Sequence, residues 1–275
     1  MNISEALSYG SQEIEYFNAK LLLENVLNCK DNYLVINKYE ELTPIQEISY
    51  KKNIKEVKDG KPLQYITNKQ VFYDSEFYVD ENVLIPQPDT AFVVDKALNF
   101  LFSMNLDRPL KILDLCTGSG AIAIIISKKL KEKNIEFEMT ASDISNGALK
   151  VAMTNAEKIV SDTKIRFVLS NLFDEINVKF DMIISNPPYV KSDDIGKLSL
   201  DVQNEPHIAL DGGNDGLEFY KRISNQVDNY LSDNGYLVLE IGYDQGKEVC
   251  ELFNDSNFYK DLNNNDRCVI YQKDR

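Results

Sequence analysis

Hydrophobic positions recur along this chain at two different intervals, and the change of interval divides it. In the first seventy residues Ile14, Phe17, Leu21, Leu22 and Val26 return every three or four positions, the spacing of one helix face. Ile45, Ile48, Ile54 and Val57 form a second such stripe before Gly60, with Thr43-Pro44 and Glu47 as its start signal. A small helical bundle is therefore predicted for residues 1–70, serving either to hold a macromolecular substrate or as a stabilising cap. Val71-Phe72-Tyr73 and Glu76-Phe77-Tyr78-Val79, separated by Asp74-Ser75, read as a β-hairpin, with residues 71–85 linking the two halves. From residue 86 to 275 the interval changes. Short apolar runs at 111–115, 137–142, 165–169, 180–185, 235–241 and 267–272 read as strands. Helices are predicted between them at about 89–104, 120–132, 145–159, 216–232 and 244–254. This alternation predicts an α/β domain with a mainly parallel sheet wrapped by helices. Lys191 to Gly213 has no clear period and is expected to form a long loop beside a functional site.

Composition narrows the function classes. Of 275 residues 43% are hydrophobic, which supports a substantial core. The formal charge of −14 argues against tight, sequence-independent binding to nucleic acid, which needs a basic face. Lys128, Lys129, Lys131 and Lys133 cluster at the end of one predicted helix, where solvated cations complement the dipole. His207 is the only histidine, which excludes a His-pair metal site and counts against a Ser-His-Asp hydrolase. Cys29, Cys116, Cys250 and Cys268 are scattered, without C-x-x-C, and read as reduced, buried thiols. Glu5 and Glu13 interrupt the first segment, so no secretory leader is expected. The longest apolar stretch, Ala121 to Ile126, is far below the ~18 residues of a membrane span. A cytoplasmic protein without a membrane partner is the expectation.

Candidate chemistry begins at Asn186-Pro187-Pro188-Tyr189, directly after the apolar run 180–185. An Asn amide both accepts and donates hydrogen bonds, and two prolines hold an extended chain whose carbonyls face outward. Tyr189 adds an aromatic surface. The set suits a planar NH2 group, although the tetrapeptide alone also fits an ordinary Pro-rich turn. Upstream, Asp114-Leu115-Cys116-Thr117-Gly118-Ser119-Gly120 turns from a strand into a helix-compatible run, a small-residue turn that lets backbone approach a ligand. Asp143 ends the next strand, at the distance where an acid reaches ribose hydroxyls; it also fits a cap for the helix starting near Ser145. The dinucleotide spacing G-x-G-x-x-G is absent.

In combination, the 114–120 turn, Ala141-Ser142-Asp143-Ile144-Ser145, Asn171-Leu172-Phe173-Asp174 and Asn186–Tyr189 resemble S-adenosylmethionine-dependent methyltransferases of the Rossmann-like fold that methylate amide or amine nitrogen. Gly60–Ile66, Val83–Thr90, Glu205–Leu217 and Leu239–Gly246 narrow the resemblance to the release factor glutamine methyltransferases, over nearly the whole chain. The resemblance implies S-adenosylmethionine as cofactor, S-adenosylhomocysteine as product and no metal. It also implies class 1 peptide chain release factors as protein substrate and a monomer without direct nucleic-acid binding. It tips the N-terminal bundle towards substrate recognition.

For the site, the resemblance implies that Asn186, Pro187, Pro188 and Tyr189 bind the acceptor glutamine. The Asn186 side-chain oxygen and the Pro187 carbonyl would grip its two N–H bonds, and Tyr189 would pack on the amide. Cys116, Thr117, Gly118, Ser119 and Gly120 would wrap the methionine end of the cofactor, Asp143 the ribose and Leu172 the adenine, with Asn186 also in reach. Asp114 reads either as an acid that orients the turn or holds the cofactor amine through water, or as a cap for its strand. Two positions depart from the family pattern, which usually has glycine at Cys116 and arginine at Gln87. Cysteine must hold that turn at negative φ or accept strain. A ribosomal-protein glutamine and an adenine N6 amine are the competing acceptors.

Overall fold

The computed structural model describes residues 1–104 and 106–274. They form two compact units, one of Met1–Lys69 with Leu198–Glu205, the other of Gln70–Lys197 with Pro206–Arg275.

The first unit holds α1 (Ile3–Glu13), α2 (Tyr16–Leu27), α3 (Asp31–Ile36), α4 (Pro44–Lys58) and α5 (Leu63–Thr67). Reciprocal capping boxes start α1 (Asn2 with Glu5) and α4 (Thr43 with Gln46, Pro44 in the first turn). Glu47, part of the expected start signal, stands in the first turn and meets Lys51 at 2.6 Å. Ile3, Ala6, Ala19, Leu22, Leu23, Tyr50 and Ile54 make the core. Inside it the Tyr50 hydroxyl donates to the Ala19 carbonyl at 3.2 Å.

This packing corrects both predicted stripes. Phe17 is 61% exposed, and Ile45 and Ile48 are 80% and 69% exposed. At 100° per residue Ile48 lies about 120° and Ile45 about 180° around the helix from buried Ile54, and Phe17 lies about 140° from Leu22. The segment Leu198–Glu205 carries a short helix, Leu200–Gln203. Asn204 Nδ2 donates to the Gly60 carbonyl at 3.1 Å, and the Tyr65 hydroxyl donates to Glu205 Oε2 at 3.4 Å. The stretch predicted as one loop thus contains three helical turns, Ser192–Lys197, Leu200–Gln203 and His207–Leu210.

The second unit opens with the hairpin β1 (Gln70–Phe72) and β2 (Ser75–Phe77). It continues with α6 (Pro88–Ser103), β3 (Leu110–Leu115), α7 (Ala121–Glu132), β4 (Phe137–Asp143), α8 (Asn146–Ile159), β5 (Ile165–Leu169) and β6 (Phe180–Ser185). β7 (Leu231–Glu240), β8 (Asn257–Lys260) and β9 (Asp266–Gln272) complete it. The sheet order is β5-β4-β3-β6-β7-β9-β8, with β5 to β7 parallel and β9 antiparallel to both its neighbours.

Both faces are covered. Ile112, Met182, Ile184 and Val238 meet α6 and α7, while Leu113, Leu115, Ile183, Leu237 and Leu239 meet Phe173, Tyr220 and Val249. Burial on both sides is what demands near-continuous apolar strands. The lysines after α7's apolar turns are paired: Lys128 and Lys129 meet Asp74 of the hairpin at 2.8 and 3.2 Å. The helix predicted over 216–232 is two short ones, Glu218–Ser224 and Val227–Tyr230, and the helix predicted at 244–254 shrinks to Gly246–Cys250. Among the described residues no helix is long and apolar enough to cross a membrane.

The sheet order reverses at β3, which has β4 on one side and β6 on the other. In register, Leu115 faces Ser142 on β4 and Ser185 on β6. The turns that follow these three strands therefore emerge at one level, at the crevice where open α/β sheets bind ligands.

Candidate active site

The turn after β3 is braced from below. Asp114 is fully buried, and its Oδ2 accepts from the Thr117 hydroxyl at 2.5 Å and the Ala123 N–H at 3.0 Å. It therefore ties the turn to the start of α7, which favours the orienting role over the strand cap. Burial pushes its carboxyl up to about 7, resisted by the Thr117 hydroxyl and the Ala123 N–H. Gly120 is the N-cap of α7 at φ 82°. A Cβ there would sit 3.1 Å from Ala152 Cβ and 3.2 Å from its Cα, so glycine is needed for both backbone and space. Gly118 has φ 52°, and a Cβ on it would meet nothing within 4 Å. Cys116 stands at φ 63°, so of the two options open to it the turn accepts strain. Burial pushes its thiol up to about 12. All four cysteines are free, but only Cys268 is fully buried, which corrects the expectation for the other three.

Asp143, at the end of β4, accepts from Gly118 N at 2.8 Å through Oδ2 and from Ser145 N at 2.9 Å through Oδ1. The N-cap of α8 is Ser145, whose own side chain accepts from Ala148 N. Asp143 thus braces the β3 turn and does not fill the cap position. Burial raises its pKa, and the N–H groups of Ser145, Gly118 and Ile144 oppose the rise. Asn155, fully buried, donates to the carbonyls of Ser119 and Tyr78 at 2.9 Å each, joining the same turn to the end of the hairpin. After β5, Leu172 sits at φ 51°, and its carbonyl accepts from the Ser170 hydroxyl at 2.7 Å. Its neighbour Phe173 turns away and stacks on Tyr230 at 4.5 Å.

Asn186 follows β6 directly. Ser185, the last strand residue, donates its hydroxyl to the Leu115 carbonyl at 2.6 Å, so the tetrapeptide is anchored to the strand that carries the glycine turn. Beyond it, Val190 N donates to Leu210 O and Gly212 N to Val190 O, both within 2.9 Å. Gln245 Nε2 donates to the Tyr189 carbonyl at 3.1 Å. The tetrapeptide is thereby held at both ends.

One cavity lies over these turns. Its wall contains Cys116, Thr117, Gly118, Ser119, Asp143, Leu172, Asn186 and Pro188. Gly120, Pro187 and Tyr189 lie outside that wall. Tyr189 packs against the second apolar core, and burial pushes its hydroxyl well up, with the negative charge of Glu240 adding to the shift. Apolar Ile85, Ile144, Ala148 and Phe219 line the rest, together with Gln87, Thr90 and Arg222. Arg222 donates to Asn171 Oδ1 at 2.7 Å.

Two polar residues here carry no role in the sequence reading. Thr90, 5% exposed at the start of α6, accepts from Asn186 Nδ2 at 3.3 Å. Glu240, 1% exposed, ends β7, and its Oε2 has no hydrogen-bond partner. Burial pushes Glu240 up to about 7, against the Thr90 hydroxyl, the Arg267 charge and the Tyr189 hydroxyl. The available signal was an acid inside the apolar run Tyr236-Leu237-Val238-Leu239-Glu240-Ile241.

This fold recurs in solved methyltransferases. The 16S rRNA N2 G1207 methyltransferase of T. Thermophilus, solved in complex with AdoMet and guanosine, superposes with a TM-score of 0.53 and 16% identity, over 74% of this chain and 49% of that one. The fold is therefore the Rossmann-like one of that enzyme. Residues 90–205 match the methyltransferase small domain, and residues 2–67 match the PrmC N-terminal domain. The release factor glutamine methyltransferase of Fusobacterium nucleatum subsp. nucleatum is 38% identical, over 93% of this chain and 73% of its own length. That of Bacillus subtilis (strain 168) is 35% identical, over 99% of both. The chain belongs to the release factor glutamine methyltransferase family, and with it to the S-adenosylmethionine-dependent glutamine methyltransferases.

Proposed function

We propose that this enzyme methylates the side-chain amide nitrogen (N5) of the glutamine in the Gly-Gly-Gln motif of class 1 peptide chain release factors. The observation that carries the reading is Asn186 on the cavity wall, at the level of the glycine turn and of Asp143. The names of the relatives supply the acceptor class.

The residues present suit S-adenosylmethionine. Space over Gly118 admits the methionine end, and the Asp143 oxygens keep lone pairs for ribose hydroxyls beyond the two N–H bonds they accept. Leu172, Ile144 and Ala148 offer an apolar wall to a base. When bound, the cofactor would supply a methyl on a sulfonium: the N–C bond would form as the C–S bond breaks, with S-adenosylhomocysteine as product and one amide proton lost to solvent.

Everything else falls to the protein. An amide nitrogen is a poor nucleophile because its lone pair is delocalised, so orientation matters most. Asn186 Oδ1, on the cavity wall, accepts an N–H of the amide, which orients the nitrogen and stabilises positive charge developing on it; Pro187, expected to accept the second N–H, lies outside that wall. Pro188 forms the wall beside it, and Tyr189, packed behind, holds the shape of the pocket. Cys116 to Ser119, on the cavity wall, would surround the methionine end, and Gly120 behind them starts α7.

Labelled S-adenosylmethionine, offered with purified release factors, ribosomal proteins and DNA in parallel and followed by mass mapping, tests the proposal. The expected product is one methyl on the Gly-Gly-Gln glutamine. Label only in a ribosomal protein or in DNA overturns the substrate assignment.

A further inference from the structure

Asn186 stands on a segment with few ways to bend. Pro187 and Pro188 lock their own φ, and each confines the residue before it to extended backbone. Asn186, Pro187 and Pro188 therefore form a stiff rod that ends at Tyr189, and a stiff rod carries a tilt from one end to the other. The near end is pinned by the Ser185 hydroxyl, which donates to the Leu115 carbonyl at 2.6 Å. Where Asn186 comes to rest then depends on what holds Tyr189.

Gln245 holds it. Its Nε2 donates to the Tyr189 carbonyl at 3.1 Å and to the Gly216 carbonyl at 3.3 Å, and its Oε1 accepts from the Gly242 N–H at 2.9 Å. Carbonyls only accept and a backbone N–H only donates, so the amide fits in one orientation. The side chain is 6% exposed, where water does not compete for these bonds. Its own backbone is fixed as well: the Gln245 N–H donates to the Gly242 carbonyl at 3.1 Å, and its carbonyl accepts from the Val249 N–H at 3.0 Å.

Two glycines let neighbouring backbone close on the same point. A Cβ on Gly212 would lie 2.7 Å from Tyr189 Cα. One on Gly216, at φ 72°, would lie 2.5 Å from the Tyr189 carbonyl oxygen and 2.7 Å from Gln245 Nε2. Gln245, Gly212 and Gly216 all lie outside the cavity wall, so their effect on the reaction runs through the tetrapeptide.

We propose that Gln245 is a positioning residue for methyl transfer: by clamping the Tyr189 carbonyl to Gly216 and to the turn after β7, it sets the tilt of the Asn-Pro-Pro rod and with it the place of Asn186 beside the acceptor amide. The inference rests on the reading of Asn186 as the amide grip. A grip displaced by about 1 Å can cost about 10²-fold in rate, so a partial loosening is readable.

The test is single-turnover methyl transfer by the full-length protein to a purified class 1 release factor, normalised to the folded fraction, with S-adenosylmethionine affinity measured alongside by calorimetry. Gln245→Met keeps the length of the side chain and loses both amide donors. It should slow transfer about 10-fold or more, while cofactor affinity and acceptor KM stay within about 3-fold of wild type. Gly216→Ala attacks the clamp from the other side and should slow transfer in the same way; it carries the test if Gln245→Met does not fold. Gly235→Ala is the comparison for simple destabilisation. Its Cβ would lie 2.9 Å from the Ser232 carbonyl oxygen and 3.1 Å from that of Phe180, at the end of β6 remote from Asn186. It should lower the melting temperature and leave the rate per folded molecule within about 3-fold of wild type. Asn186→Ala combined with Gln245→Met should be no slower than Asn186→Ala alone. A normal rate in Gln245→Met, or in Gly216→Ala where the former does not fold, with Asn186→Ala slow, overturns the clamp and leaves the amide grip standing. Equal slowing in Gly235→Ala, or additive losses in the double variant, overturns it too. A normal rate in Asn186→Ala removes the grip and the inference together.

Discussion

Asp143 accepts one main-chain N–H on each carboxylate oxygen, from Gly118 and from Ser145, with lone pairs to spare for a ligand. Asp143→Ala should therefore weaken S-adenosylmethionine binding by about 1.5–3 kcal/mol, the range for losing charge-assisted hydrogen bonds. It should also lower the melting temperature of the ligand-free protein, because two N–H groups lose their acceptor. Normal affinity by calorimetry would leave Asp143 a brace for the turn and nothing more. At Glu240 the consequence is a pH effect. Its carboxyl is raised from the ordinary 4.5 to about 7, chiefly by burial, among Thr90, Tyr189, Arg267, Asp89 and Cys268. Between those values the folded protein holds a proton that the unfolded chain has released, so this group's contribution to stability falls as pH rises from 4.5 to about 7. Glu240→Gln removes the titration, and its urea midpoints at pH 5, 6 and 7 should decline less than those of wild type. Parallel declines would contradict the assignment. The placement of Asn186, Asp143 and the glycine turn together was readable because each lies at the end of its strand. Thr90 was not, because its bond to Asn186 spans 96 positions and exists only once the start of α6 meets the residue after β6.

Within the turn between β3 and α7, two small residues do different work. Gly120→Ala forces a Cβ against the Cα of Ala152 at a φ of 82°, so it should destabilise the protein by about 1–3 kcal/mol whether or not ligand is present. Gly118→Ala places its methyl in open space and should depress cofactor affinity more than stability. Melting curves with and without S-adenosylmethionine separate the two, and equal stability losses would contradict this division. The strands of the sheet interior were legible because burial on both faces writes an apolar run into the sequence. β8 was missed: Asn257-Phe258-Tyr259-Lys260 is short, lies at the sheet edge and is polar at both ends. In the first unit the helices were legible but their inward faces were not. Ile45 and Ile48 are as apolar as Ile54, and only the partner helices decide which side is covered.

At the scale of the whole molecule, the first unit is assembled from two stretches distant in sequence, Met1–Lys69 and Leu198–Glu205. A chain beginning at residue 70 would leave the second stretch without Gly60 and Tyr65, its hydrogen-bond partners. Limited proteolysis of such a truncation should cut within 198–205, where the full-length protein resists; equal resistance would contradict the shared packing. No pattern in the sequence announces that assignment, since 191–213 lacks any period of its own. The central claim concerns the other unit, where strand order brings Asn186 level with the glycine turn and Asp143. Its most direct measurement is the single-turnover rate of methyl transfer to the release factor glutamine by Asn186→Ala, normalised to the folded fraction. The account predicts a fall of at least about 10²-fold, with at most a modest loss of cofactor affinity and little change in affinity for the release factor. A near-normal rate, with the damage confined to a lower melting temperature, would make Asn186 the start of a turn and contradict the mechanism.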